Sequence, residues 1–167
     1  DYGMTLLSVV QSQDAEAAMV AGDANEEDLE TCFMNLDAAR VCFEKAEAKN
    51  ANDEAIQLRL AEVHDSLAQL LLEQDNASGA VTEFEHVLLI LNNMKEKNHK
   101  RIVGILFSVA NTLLGEQEIE AAIKRFEETL ATIDAAPAGT IDPELRGEVE
   151  SFLTEAKTTK PGEMEEI

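Results

Sequence analysis

Tryptophan is absent from this chain, proline occurs three times and tyrosine once in 167 residues. Runs of β-branched residues are short, while leucine and alanine are plentiful, so propensity argues against a sheet and for helices. The longest uninterrupted apolar stretches, such as "VLLIL" at 87–91, are far too short to span a bilayer, and no secretory leader is visible. The expectation is a soluble, intracellular, all-α protein with one continuous core, since the length suits a single domain. The two cysteines, Cys32 and Cys42, lie ten apart in one helical segment and match neither a redox CxxC nor a metal pair, so they read as buried thiols.

Basic residues are also scarce. Thirteen Lys and Arg against 34 Asp and Glu leave a formal charge of −21, and residues 1–39 hold nine acids with no Lys or Arg at all. Such a field attracts basic partners and repels phosphate, which excludes direct nucleic-acid binding as the expected role. Glycine-rich phosphate loops, nucleophile elbows and paired carboxylates in a catalytic context are missing, so the chain is not expected to be an enzyme or to need a cofactor. His64, His86 and His99 are scattered without metal-ligand spacing. The reading is therefore no metal site and no catalytic residue, with His64 packed in the core.

What the chain does have is a repeated pair. Ala39 precedes Phe43, Ala80 precedes Phe84 and Ala122 precedes Phe126, each four apart and hence on one helix face as a notch and a plug. The first pair lies in a helix expected to start after Asn25, with Glu26, Glu27 and Asp28 at its positive end and an apolar stripe of Leu29, Cys32, Phe33, Leu36, Ala39, Phe43 and Ala46. "NAND" at 50–53 breaks it. A second helix carries Ile56, Leu60, Val63, Leu67, Leu70 and Leu71, and "QDNASG" supplies a turn into a third, from about Ala77. That third helix is expected to run on towards Lys97. The fourth, "RIVGILFSVANTLL", is expected to end at Gly115, and the fifth runs from Ile119 to about Ile133. A last helix takes Asp142 as cap and Pro143 at its first position, with Leu145, Val149, Phe152, Leu153 and Ala156 on one face.

Helices 52–74 with 77–96, and 100–115 with 119–134, make two antiparallel hairpins, each with its Ala-to-Phe pair in the second helix. The interval from Ala80 to Ala122 is 42 residues, longer than the roughly 34 of a tetratricopeptide repeat (TPR), and the excess falls around Lys95 to Lys100. The pattern Leu67, Ala68, Leu71, Ala80, Phe84, and again Val109, Ala110, Leu113, Ala122, Phe126, resembles that repeat, with His64 and Leu106 where an aromatic is usual. Tyr2-Gly3 matches the same step, so residues 1–12 look like the first helix of a further repeat whose second helix is Leu29 to Ala48, an acidic insert lying between.

A repeat interrupted in this way, followed by two more and a capping helix, resembles the interrupted-TPR (SHNi-TPR) histone chaperones typified by nuclear autoantigenic sperm protein. The stretches "LETCFMNLDAARVCFEKAEA", "GAVTEFEHVLLIL" and "EAAIKRFEETLATI" are similar to three second helices of that family. The resemblance implies an all-α TPR helical-hairpin solenoid with a C-terminal capping helix. Its expected parts are an interrupted repeat's first helix at 1–13, an acidic insert remnant at 14–26, the rest of the repeats at 27–136, a capping helix at 137–160 and an acidic tail at 161–167. It further implies a carrier of histone H3/H4 in the nucleus and also the cytoplasm, with linker histone as a second client. The opening "DYGMTLLSVV", apolar and without an initiator methionine, reads as cut from a longer protein, and Tyr2, Leu6 and Leu7 would offer a stacking surface to a second copy, making a homodimer.

In stacked hairpins the first helices line the inner side, and counting back 18 residues from Ala80 and Ala122 gives two matching stripes. The first is Glu62, Asp65, Gln69 and Leu72; the second is Gly104, Phe107, Asn111 and Leu114. Acids beside a leucine suit Arg or Lys on an amphipathic basic helix, and Phe107 offers a platform, although an aromatic there also suits the core. Asp23, Glu26, Glu27 and Asp28 form the candidate acidic-insert site. The rival is an adaptor that clamps an acidic C-terminal peptide of a heat-shock protein, which needs Lys, Arg and Asn where these stripes hold Glu62, Asp65 and only Asn111. A third reading joins proteins through Lys95, Lys97, Lys100 and Arg101.

Overall fold

The computed structural model describes residues 26–50 and 53–159. The expected helix at 1–13, the stacking surface at Tyr2, Leu6 and Leu7, Asp23 and the acidic tail lie outside those residues. Among the described residues there are six α-helices and no strand: α1 (Glu26–Lys49), α2 (Glu54–Glu73), α3 (Ala77–Asn92), α4 (His99–Gly115), α5 (Ile119–Ala135) and α6 (Pro143–Thr158). The chain divides into two compact units, Asp1–Ile90 and Leu91–Ile167, with the boundary inside α3.

In the first unit α1 packs on α2. Leu36, Ala39 and Phe43 of α1 close against Leu60, Val63, Leu67 and Leu70 of α2, with Leu29, Cys32, Phe33, Ile56 and Ile90 at the margin. The Asp53 carboxylate accepts from the backbone N–H of Ala55 at 3.0 Å and Ile56 at 3.4 Å, which satisfies two donors that the start of α2 would otherwise leave without partners. In the second unit Ala110 of α4, Ala122 and Phe126 of α5, and Val149 and Ala156 of α6 form the core, flanked by Phe107, Leu114, Leu130, Phe152 and Leu153. The side chain of Asp142 accepts from Glu144 N–H and Pro143 stands in the first turn of α6, as its sequence signature requires.

All three Ala-to-Phe pairs are interior: Ala39, Ala80, Ala122, Phe84 and Phe126 are fully buried and Phe43 almost so. Each buried phenylalanine contributes about 1.5–3 kcal/mol of transfer free energy, and it can do so because the alanine one turn earlier leaves its neighbour room to approach.

The two hairpin turns are built alike. Asp75 and Gln117 both take left-handed backbone, φ 55° and 63°. Asn76 N–H donates to Leu71 O at 2.8 Å and Glu118 N–H to Leu113 O at 2.9 Å; Asp75 N–H and Gln117 N–H reach back three residues to Leu72 O and Leu114 O. This is the Schellman closure of a helix, made twice with a non-glycine residue at the left-handed step. α4 ends at Gly115 as expected, while the left-handed step of the reversal falls two residues later, at Gln117 and not at the glycine.

A correction concerns α3, which ends at Asn92 and does not continue to Lys97. Two consecutive asparagines, poor helix formers, end the helix, and Met94 turns back to be 8% exposed, its N–H reaching Leu91 O at 3.4 Å. Asn98 then caps α4 by accepting from Arg101 N–H at 3.1 Å. The extra residues of the 42-residue interval therefore lie in an irregular link and not in a longer helical arm.

Candidate functional site

Glu62, Asp65, Gln69 and Leu72 lie at helical spacing along α2. Gln69 is exposed, and Glu62, Asp65 and Leu72 are half-buried. The Glu62 carboxylate accepts from Arg59 Nη1 at 3.0 Å, so one basic group of the chain already stands on this stripe. That ion pair is a contact sequence spacing could have suggested, since Arg59 and Glu62 are three apart on one helix, but it was not anticipated.

On α4, within the second unit, Asn111 and Leu114 are half-buried and Gly104 is exposed, with nothing near the position a Cβ would take. Phe107 is also half-buried. Its ring meets Phe126 of α5 edge-on at 6.2 Å between centroids and Phe152 of α6 edge-on at 5.5 Å, while Phe126 and Phe152 stack at 6.0 Å. Phe107 is thus a member of a three-ring cluster that ties the capping helix to the last hairpin, and its packing role is met inside the unit. Of the candidate acidic-insert residues, Glu26, Glu27 and Asp28 form the exposed first turn of α1, where their charge complements the helix dipole.

The few arginines are largely engaged by acids of the chain itself. Arg40 Nη1 donates to Glu44 at 2.8 Å and its Nη2 lies 2.9 Å from Asp37, contacts that raise its pKa further. Arg125 meets Glu128 at 3.0 Å, and Arg146 reaches Asp134 and Glu150. With so many acids left over, the surface presents carboxylates to the surroundings far more than cations.

The structure brings together one group that spacing along the chain had left apart. His64 of α2 is 5% exposed, as expected of a core residue, but its Nδ1–H donates to Glu83 Oε2 of α3 at 2.5 Å. His86, three residues beyond Glu83 on the same helix, places its Nδ1 3.8 Å from that same oxygen, and the two imidazoles lie 4.7 Å apart between centroids. Burial alone would push the Glu83 carboxyl up; the hydrogen bond and charge of His64, with a smaller contribution from His86, outweigh it and leave the group below its ordinary value. His64 and His86, which lack metal-ligand spacing along the sequence, thus meet in space around Glu83. His64 and His86 are each 11 residues from Asp75, so the hairpin turn folds them onto each other, a relation that linear spacing motifs do not encode. His99 takes no part.

No protein-family model matches the chain, and no curated protein matches it in sequence. Solved structures do match it in fold. A kinesin light chain-type protein of Podosopora anserina with nearly identical TPR-like repeats superposes with a TM-score of 0.61 at 16% identity, over 90% of this chain and 66% of that one, as does a variant of it carrying one substitution. BtubC (BKLC) of P. vanneervenii superposes with a TM-score of 0.58 at 15% identity, over 91% of this chain and 65% of that one. The chain thus spans slightly less than two thirds of the length of each. At such identities the likeness shows the fold, an all-α TPR-type array of helical hairpins, as the sequence pattern predicts. No helix among the described residues is long and apolar enough to cross a membrane.

Proposed function

We propose that this protein is a histone chaperone that holds H3/H4, with linker histone as a second client, and works by binding alone without catalysing a reaction. At the coarser level the TPR-type fold supports a protein-interaction scaffold, and the sequence resemblance to the interrupted-TPR chaperones points to the finer role. The observation that carries it is the conjunction of a formal charge of −21 with a half-buried acidic pair, Glu62 and Asp65, on the same stripe of α2 as Leu72 two turns further on. The diffuse charge would speed encounter with a strongly basic client and keep nucleic acid away; the ordered acids, with an apolar side chain two turns along the same face, would fix a basic amphipathic helix in register. Arg59 tempers the stripe, and an incoming client Arg or Lys would compete with it for Glu62. Such a role belongs in the nucleus and on the route to it.

The adaptor reading fits less well, because an acidic peptide laid on the α2 stripe would meet Glu62 and Asp65 instead of the Lys and Arg that a carboxylate clamp requires. The deciding test is binding of the chain to H3/H4, to the other core-histone pair and to an acidic heat-shock C-terminal peptide, each at low and near-physiological salt, where charges separated by more than about 8 Å are screened. Salt-resistant preference for H3/H4 is the expected result. Equal, salt-sensitive binding of both histone pairs would reduce the protein to an acidic polymer, and capture of the acidic peptide would favour the adaptor.

A further inference from the structure

We propose that His64, Glu83 and His86 form a binding site for a divalent transition-metal ion, zinc being the natural occupant, which clamps α2 to α3. The inference is independent of the histone reading. Two imidazoles and one carboxylate, with ligand atoms no more than 4.8 Å from one another, converge from the two helices of one hairpin. Glu83 and His86 are three apart on α3 and so share a face, the Glu-x-x-His arrangement by which helices present a carboxylate and an imidazole to one ion. His64 comes from the opposing helix.

The geometry is within reach of coordination. Ligands at about 2.0–2.2 Å around a tetrahedral ion stand about 3.3 Å apart. The 2.5 Å contact between His64 Nδ1 and Glu83 Oε2 would have to open by less than an ångström, the ion taking the place of the shared proton. The wider separations would have to close, and the residue best able to move is His86, whose side chain is 49% exposed and can change rotamer without disturbing the core. His64 and Glu83, at 6% and 20% side-chain exposure, are the fixed part of the site. The exposed side at His86 leaves a fourth position for water.

The chemistry selects the class of ion. Magnesium and calcium require shells built almost wholly of oxygen, which one carboxylate cannot supply, whereas two imidazoles and a carboxylate suit zinc and its first-row neighbours. Diffuse surface acids attract any divalent cation weakly; this site differs in offering nitrogen. Because only a neutral imidazole can bind the ion, protons compete with it for the two histidines, and uptake tightens as pH rises.

The test is zinc titration of the intact chain followed by calorimetry and thermal unfolding, in millimolar magnesium to saturate the surface acids, and in a Cys32→Ser/Cys42→Ser background so that thiols cannot contribute. The expected result is one equivalent of zinc with a raised Tm, at least a tenfold loss of affinity in His86→Ala and in Glu83→Gln, and none in His99→Ala. His86→Ala is the decisive variant, since an exposed side chain can be truncated without unfolding the hairpin, and its metal-free Tm provides the check. Cobalt supplies a second readout: its visible absorption should report mixed nitrogen and oxygen ligands and vanish in the same variants. Absence of binding above the magnesium background, or binding indifferent to His86→Ala, would overturn the proposal.

Discussion

Asp75 and Gln117 stand 42 residues apart and occupy the same left-handed step of the same turn, the interval that also separates Ala80 from Ala122. Two hairpins with different sequences are therefore closed by one backbone geometry. In both, a residue with a Cβ sits where glycine is the usual choice, and a strained φ is tolerated because the surrounding hydrogen bonds, Asn76 to Leu71 and Glu118 to Leu113, hold it.

Replacing either residue by glycine removes that strain at some cost in unfolded-state entropy. Gln117→Gly is expected to stabilise the protein by about 0.5–1 kcal/mol, and Asp75→Gly by less, because aspartate accepts left-handed backbone more readily than glutamine does. Urea unfolding midpoints at unchanged slope check both. A loss of stability in Gln117→Gly would show that its side chain matters more than its backbone.

Ala122 is a notch whose value lies in being small. Ala122→Leu adds apolar surface to a position with no exposure, beside Phe126, and should destabilise by about 1–3 kcal/mol through overpacking despite greater hydrophobicity. Phe126→Ala should cost about 3–5 kcal/mol and loosen α6, because Phe126 is one of the three rings that hold it. Denaturant unfolding measures both, and amide exchange in α6 reports the second effect locally.

Glu83 makes stability depend on pH with a definite sign. Its carboxyl is held below the ordinary value in the folded protein, so its contribution is fully present above the unfolded glutamate value and is lost as pH falls through the lowered folded one. The stability difference between the wild-type protein and Glu83→Gln should therefore shrink as pH falls through the carboxylate range. The comparison with Glu83→Gln cancels the general relief of acidic self-repulsion that protonation also brings. A difference that stays constant across that range would contradict the assignment.

Much of this fold was legible in the residues because the core is written in helical periodicity. The stripes from Leu29 to Phe43, from Ile56 to Leu70 and from Leu145 to Ala156 all face their cores as spacing required. Turn chemistry was less legible: the end of α4 at Gly115 could be read, but glycine marks a left-handed position only statistically, and Gln117 occupies one without announcing it. The end of α3 at Asn92 was missed because the polar run beyond it fits an exposed helix as well as a link; the backbone leaves the helix after Asn92, and Asn98 caps a new one. The meeting of His64, Glu83 and His86 depends on the register between two helices, which the turn sets and the individual helical patterns do not contain. Along α2, position was legible while the contact between Arg59 and Glu62 went unread.

That contact gives one more expectation. Arg59→Gln removes an internal competitor for Glu62, so H3/H4 should bind this variant more tightly than the wild-type protein, by about twofold to fivefold, as suits a partly exposed ion pair. Weaker binding would mean that Arg59 itself meets the client.

The most direct test of the account is the affinity for H3/H4 at near-physiological salt of Glu62→Gln/Asp65→Asn beside a control of equal charge change, Glu116→Gln/Glu148→Gln, whose side chains are exposed on the second unit. The account predicts a loss of about tenfold or more for the first pair and less than about twofold for the control, the difference between ordered contacts and diffuse charge. Equal losses in the two proteins would contradict it.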